Sequence, residues 1–138
     1  MLIGEYSPVI DPKGRISFPA KLREELGATF IVTKGLDNCL SVYRLEEWTV
    51  LVERLKQLPS KARTIQRFIL GGAVELSPDK QGRILIPQNL RDWAGLNGSI
   101  VVVGVSDRAE IWDAHRWAEA NETLTADMVA EAMDELGF

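Results

Sequence analysis

Asp11-Pro12-Lys13-Gly14-Arg15-Ile16-Ser17-Phe18-Pro19-Ala20-Lys21-Leu22-Arg23-Glu24-Glu25-Leu26-Gly27 returns, shifted by 68 residues, as Asp79-Lys80-Gln81-Gly82-Arg83-Ile84-Leu85-Ile86-Pro87-Gln88-Asn89-Leu90-Arg91-Asp92-Trp93-Ala94-Gly95. Eight of the seventeen aligned positions are identical, where average residue usage gives about one by chance. The chain is an internal duplication, so the fold is that of a repeated unit and any site on the unit occurs twice.

Turn and cap chemistry sets the local structure of each copy. Asp11-Pro12-Lys13-Gly14 has the residues of a type I turn: Asp first, Pro second where its fixed φ fits, Gly fourth. Asp79-Lys80-Gln81-Gly82 keeps the Asp and the Gly but replaces the proline with Lys80. Arg15 and Arg83 then start returning strands. Ile16 and Phe18 in one copy, Ile84 and Ile86 in the other, fall on one face at period two, which leaves Arg15 and Ser17, or Arg83 and Leu85, on the opposite face. Pro19 and Pro87 open short helices that Gly27 and Gly95 close. Leu22 with Leu26, and Leu90 with Ala94, give each helix an apolar edge, and Arg23 and Arg91 lie off it.

A second strand pair follows each helix, over Phe30 to Thr33 and Leu40 to Tyr43, then Ser99 to Val105 and Ala109 to Trp112. Helices containing Trp48 and Trp117 close the match. One unit has too few strands to bury both faces, so two units are expected to share a core as one body. The expected fold class is α+β: two β-hairpin/helix repeats packed into a small, closed or nearly closed β-barrel with pseudo-two-fold symmetry and flanking helices. The expected divisions are a first repeat over residues 1–48, a helical hairpin over 49–70, a second repeat over 71–117 and an acidic C-terminal helix over 118–138. In the hairpin, Trp48, Leu51, Leu55 and Leu58 share one helical face, and Ala62, Ile65, Phe68 and Ile69 another. In the tail, Leu124, Met128, Ala132 or Met133 and Leu136 recur every three or four residues, the pattern of a helix that docks on its own chain or a neighbour's.

Charge is distributed unevenly. Net charge is −4 over 138 residues, which for the whole chain argues against a polyanionic partner. Yet Lys13, Arg15, Lys21 and Arg23 face only Asp11 within the first copy's opening segment, and Lys80, Arg83 and Arg91 face only Asp79 from Asp79 to Arg91. From Asp107 onward nine acids oppose only Arg108 and Arg116. A local field acts over roughly 8–10 Å, so basic tips and an acidic tail behave independently. The longest purely aliphatic stretch, around Ile100 to Val103, is far short of a bilayer span, and a cytoplasmic protein is expected. The single cysteine, Cys39, allows no internal disulfide, and with the lone His115 it supplies no zinc cage. Cys39 reads as core. No phosphate-binding Gly-rich loop, nucleophile elbow or metal-ligand cluster is present, so no catalytic residue, metal or cofactor is expected.

Arginine at a strand start offers a planar fork for a phosphate or the O6/N7 edge of guanine, and lysine adds a mobile positive charge. Lys13, Arg15, Lys80 and Arg83 are the first candidates for DNA contact, with Arg23 and Arg91 next. Asp11 and Asp79, with Gly14 and Gly82, brace the turns, since a carboxylate against DNA meets phosphate repulsion. From the residues alone, Arg15 and Arg83 divide evenly between DNA contact and a structural ion pair with those aspartates. Arg54, Lys56, Lys61, Arg63 and Arg67 on the hairpin read first as a solvated helix face.

The paired Asp-x-x-Gly-Arg turns, each followed by a Pro-led helix carrying a leucine and an arginine, are separated by a helical hairpin and end in Trp-containing helices. This arrangement resembles the MraZ family of bacterial regulators, whose halves have the AbrB-like swapped-hairpin fold, over nearly the whole chain. Lys13 and Lys21 align with Gln81 and Asn89, so the first half is the more basic. The resemblance implies a DNA-binding, nucleoid-associated transcription factor at the promoter of the division and cell-wall gene cluster containing its own gene. It implies recognition of short direct repeats in double-stranded DNA by a homo-oligomeric ring that presents several Asp-x-x-x-Arg tips, and it assigns DNA contact to Arg15 and Arg83. Linked tips gain on the order of 10² to 10⁴ in avidity, which answers the acidic net charge. The competing expectation is a ring-forming protein-interaction or antitoxin-like module whose acidic tail meets the partner.

Overall fold

Each copy of the repeat folds as its alternation and turn residues dictate, and neither completes a core by itself. The computed structural model describes all 138 residues. The first half runs β1 (Leu2–Tyr6), β2 (Val9–Ile10), β3 (Arg15–Ser17), α1 (Ala20–Leu26), β4 (Phe30–Lys34), β5 (Leu40–Arg44) and α2 (Leu45–Lys56). After α3 (Arg63–Gly71) the second half repeats the order as β6 (Val74–Leu76), β7 (Arg83–Leu85), α4 (Gln88–Ala94), β8 (Gly98–Ser106), β9 (Ala109–Asp113) and α5 (Ala114–Asn121), and α6 (Ala126–Glu135) ends the chain.

The strands form one antiparallel sheet in the order β6-β4-β5-β9-β8-β2-β3-β7, with β1 also paired to β8. The two ends of that order, β6 and β7, are consecutive in the chain, so the eight strands curl into a nearly closed barrel. Pairing is exchanged between the halves: β6 adds to β4, while β1 and β2 add to β8. Equivalent strands meet on a pseudo-two-fold axis, β3 on β7 with Ile16 opposite Ile84, and β5 on β9 with Ser41 opposite Glu110. The pseudo-symmetric α+β barrel expected from the repeat is present, with the exchange of strands that the family resemblance implies. Its symmetry is imperfect at one edge, because the residue equivalent to Ile10 is Pro78, which has no N–H for a ladder; the second half has no counterpart of β2.

Both halves fill one core. Ile16, Phe18, Leu22, Leu26, Phe30, Val32, Leu40 and Val42 from the first, and Ile84, Ile86, Leu90, Ala94, Ile100, Val102, Ala109 and Ile111 from the second, belong to a single buried cluster. A fully buried Ile, Leu or Phe contributes about 1.5–3 kcal/mol, so either half alone would expose most of what stabilises it. Two details differ from expectation, and a third decides against one of two alternatives. Pro19 and Pro87 are the residues before the helices rather than their first residues, with extended ψ that α-helix geometry excludes. In the hairpin only Leu55 is buried, and Leu58 and Ile65 stay exposed. The C-terminal helix does not dock on its own chain: every residue from 122 to 138 is exposed, which leaves Met128, Val129, Met133 and Leu136 without an intrachain partner.

Candidate nucleic-acid interface

Both charged turns close in the same way. In the first, the Gly14 N–H donates to Asp11 O at 2.9 Å and the Asp11 N–H to Arg15 O at 3.0 Å. The Asp11 carboxylate then accepts from the backbone N–H groups of Lys13 (3.0 Å) and Arg15 (2.9 Å) and from Arg15 Nε (2.6 Å). In the second, Asp79 accepts from the N–H groups of Gln81 and Arg83, both at 2.9 Å, and from Arg83 Nε at 3.0 Å. The Arg15 backbone N–H holds the Asp11 carboxyl below its usual range, with the Arg15 side chain adding to it, and the Arg83 N–H does the same for Asp79. The turn-bracing expectation for the two aspartates describes this geometry.

Arg15 and Arg83 combine the two alternatives that the residues alone left even. Each is ion-paired to its aspartate, but through Nε only. Their Nη1 and Nη2 groups make no hydrogen bond within the chain, and the side chains are 38% and 35% exposed. The aspartate aims the guanidinium and leaves its outer fork unpaired, the part that grips a phosphate or a guanine edge.

Arg23 and Arg91 stand elsewhere than the linear sequence implies. Each donates from Nε to a carbonyl of its own copy, Arg23 to Phe18 O at 3.0 Å and Arg91 to Ile86 O at 2.9 Å. Each guanidinium then lies across the glycine of the other copy's turn. A methyl group on Gly82 would meet Arg23 Cζ at 2.7 Å, and one on Gly14 would meet Arg91 Cζ at 2.7 Å. Backbone bonds lock the exchange, with Phe18 N–H donating to Gly82 O (3.0 Å) and Ile86 N–H to Gly14 O (2.8 Å). One tip is therefore Asp11, Lys13, Arg15 and Arg91; the other is Asp79, Lys80, Arg83 and Arg23. A side chain at either position would have to displace the arginine above it, and the left-handed φ of +90° and +77° at Gly14 and Gly82 favours glycine.

The tips sit at opposite ends of the β3–β7 ribbon. Arg15 lies opposite Leu85, and Ser17 opposite Arg83. Ile16 and Ile84 point inward and are buried, so the outward face carries Arg15, Ser17, Arg83 and Leu85. Lys13, Lys21 and Lys80 are exposed around it. The hairpin cations Arg54, Lys56, Lys61, Arg63 and Arg67 are exposed too, and Lys56 is paired with Glu53. Cys39 is fully buried, and burial pushes its thiol up to about 12. His115 is exposed and paired with Glu119 at 2.6 Å. No group of three or more His, Cys, Asp or Glu side chains converges as a metal site, and no helix is long and apolar enough to cross a membrane.

A family model described as "MraZ protein, putative antitoxin-like" matches the chain twice, over residues 1–68 and 69–136. The chain belongs to the MraZ family. The two matches divide it as the duplicated turns and the pseudo-two-fold axis do. It is 55% identical to a transcriptional regulator MraZ of Caldicellulosiruptor bescii over an alignment of 143 positions that spans both chains completely. It is 52% identical to that of Clostridium tetani over 142 positions and 51% identical to that of a Thermoanaerobacter species over 143, again with complete coverage of both chains.

Proposed function

We propose that this chain is a sequence-specific, DNA-binding transcriptional regulator that acts at the promoter of its own division and cell-wall gene cluster. The observation that carries the proposal is the pair of composite basic tips, each with an aspartate-aimed arginine whose outer fork is unpaired, at the two ends of one outward-facing β-ribbon. A two-stranded ribbon fits the DNA major groove, where arginine forks distinguish guanine. Lys13, Arg15 and Arg91 contact DNA from one tip, and Lys80, Arg83 and Arg23 from the other. The names of the relatives support a role in transcription.

In this reading the chain binds short direct repeats as a homo-oligomeric ring in the cytoplasm, on the nucleoid. The unpaired apolar stripe of α6 supports assembly, since Met128, Val129, Met133 and Leu136 find no partner within the chain. Several linked tips then supply the affinity that one tip lacks. The test is fluorescence anisotropy on the duplex upstream of the gene and on a scrambled duplex, with wild type and Arg15→Ala/Arg83→Ala. The expected result is preference for the promoter by wild type, lost in a folded double variant, with log affinity falling against log salt at about 0.9 per phosphate contacted. Equal binding of both duplexes by wild type would refute the proposal and favour a protein-partner module.

A further inference from the structure

The outward face of the ribbon is two-fold symmetric in its arginines and asymmetric at one pair of positions. Arg15 matches Arg83 and Ile16 matches Ile84, but Ser17 of the first copy is replaced by Leu85 in the second. Leu85 packs into no core: its side chain is 55% exposed, and the inner side of the ribbon is already filled by Ile16 and Ile84, which are 0% and 2% exposed. A branched aliphatic group thus stands on the outward face at one end of the ribbon, directly across the strand pair from Arg15.

We propose that Leu85 is a specificity-determining residue that packs on the C5-methyl group of a thymine, an inference that rests on the DNA-binding reading above. The thymine methyl is the one apolar group that the major groove displays, and aliphatic side chains recognise it by contact. Directly opposed cross-strand residues have Cβ atoms about 4.5–5.5 Å apart, and successive base pairs are about 3.4 Å apart. Leu85 therefore meets the groove one or two base pairs from the guanine held by Arg15. The equivalent place beside Arg83 is occupied by Ser17, whose hydroxyl donates or accepts and accommodates any base. A protein with two-fold symmetric arginines thereby reads an asymmetric element, as a direct repeat requires and a palindrome does not: one arginine is flanked by a methyl-reading leucine, the other by a permissive serine.

Deoxyuridine provides the probe, because it keeps the pairing and the O4 acceptor of thymidine and lacks only the methyl. Wild type, Leu85→Ala and Leu85→Ser are titrated against the promoter duplex, the same duplex with every thymidine replaced by deoxyuridine, and a scrambled duplex. Thermal melting and mass in solution of each variant are measured alongside. The expected result is that wild type loses about fourfold in affinity for each methyl contacted. Both Leu85 variants should bind thymidine and deoxyuridine promoters alike, with unchanged melting and assembly. Equal binding of the two promoters by wild type would overturn the proposal, as would retention of the full discrimination by Leu85→Ala. A smaller assembly in Leu85→Ala would also overturn it, by assigning the side chain to a contact between copies. Failure of wild type to prefer the promoter over the scrambled duplex would instead bring down the DNA-binding reading, and this inference with it.

Discussion

Replacing Gly14 with alanine tests the composite tip without touching any charge. Two costs are expected. The φ of +90° at Gly14 puts a Cβ against the neighbouring carbonyl, for about 1–2 kcal/mol. The new methyl would also lie 2.7 Å from Arg91 Cζ and Nε and 3.0 Å from Ile86 O. Arg91 can leave only by giving up its 2.9 Å bond to Ile86 O; a hydrogen bond from a charged donor contributes about 1.5–3 kcal/mol, and the partial exposure of Arg91 places this below the top of that range. The sum is about 2.5–4 kcal/mol. Gly27→Ala is the control without a neighbour to displace: φ there is +92° with an extended ψ of −175°, nothing lies within 4 Å of a Cβ, and only a backbone cost of about 1–3 kcal/mol applies. Melting temperature falls roughly 2–4 °C per kcal/mol in a domain somewhat larger than this one, and more in smaller ones. Gly14→Ala should thus melt below Gly27→Ala. In Gly14→Ala/Arg91→Ala the loss should be less than the sum of the single losses, with a coupling of about 0.5–3 kcal/mol. Strict additivity of Gly14→Ala with Arg91→Ala would refute the packing of Arg91 on the other copy's turn.

Three further outcomes follow from the geometry. Gly104→Ala should detach β1, because the new methyl would lie 2.5 Å from the Ile3 backbone nitrogen; hydrogen exchange at Leu2–Tyr6 checks this, and unchanged protection there would contradict it. Asp11 and Asp79 have depressed carboxyl pKa values, so their contribution to stability is complete above the ordinary aspartate value of about 3.9 and is lost as pH falls through the lower folded values. Asp11→Asn/Asp79→Asn should flatten that part of the profile of melting temperature against pH, and an unchanged profile would count against the bracing role. Cys39, buried and with its thiol at about 12, should react with an aromatic disulfide reagent at pH 8 only as the chain unfolds; labelling of the folded protein at the rate of a free thiol would contradict its placement in the core.

The architecture was legible because duplication, alternation and turn chemistry all act locally. Asp11 and Gly14 specify a turn whatever surrounds them, and Ile16 with Phe18 specifies an inner face. The exchange of strands between halves is a long-range pairing, visible in the sequence only as the repeat itself and through the family resemblance. That is why Arg23 and Arg91 could be placed off the apolar edge of their helices but not assigned to the opposite copy's tip. Gly14 and Gly82 carried no separate signal of it, because their left-handed φ and their place in the turn already call for glycine. The ion pairs of Arg15 and Arg83 were foreseen as an alternative to DNA contact. The bond through Nε, which allows both, depends on side-chain geometry that spacing does not express. The tail shows the opposite failure. The spacing of Met128 and Leu136 foretold an amphipathic helix correctly, but amphipathicity does not say on which molecule the apolar face finds its partner.

The most direct test of composite DNA-reading tips is a pair of double-mutant cycles in promoter binding. One cycle combines Arg15→Ala with Arg91→Ala, which share a tip, and the other combines Arg15→Ala with Arg23→Ala, which do not. The account predicts non-additive losses in the first cycle and additive losses in the second. Coupling of Arg15 to Arg23 rather than to Arg91, or promoter binding indifferent to all three arginines, would contradict it.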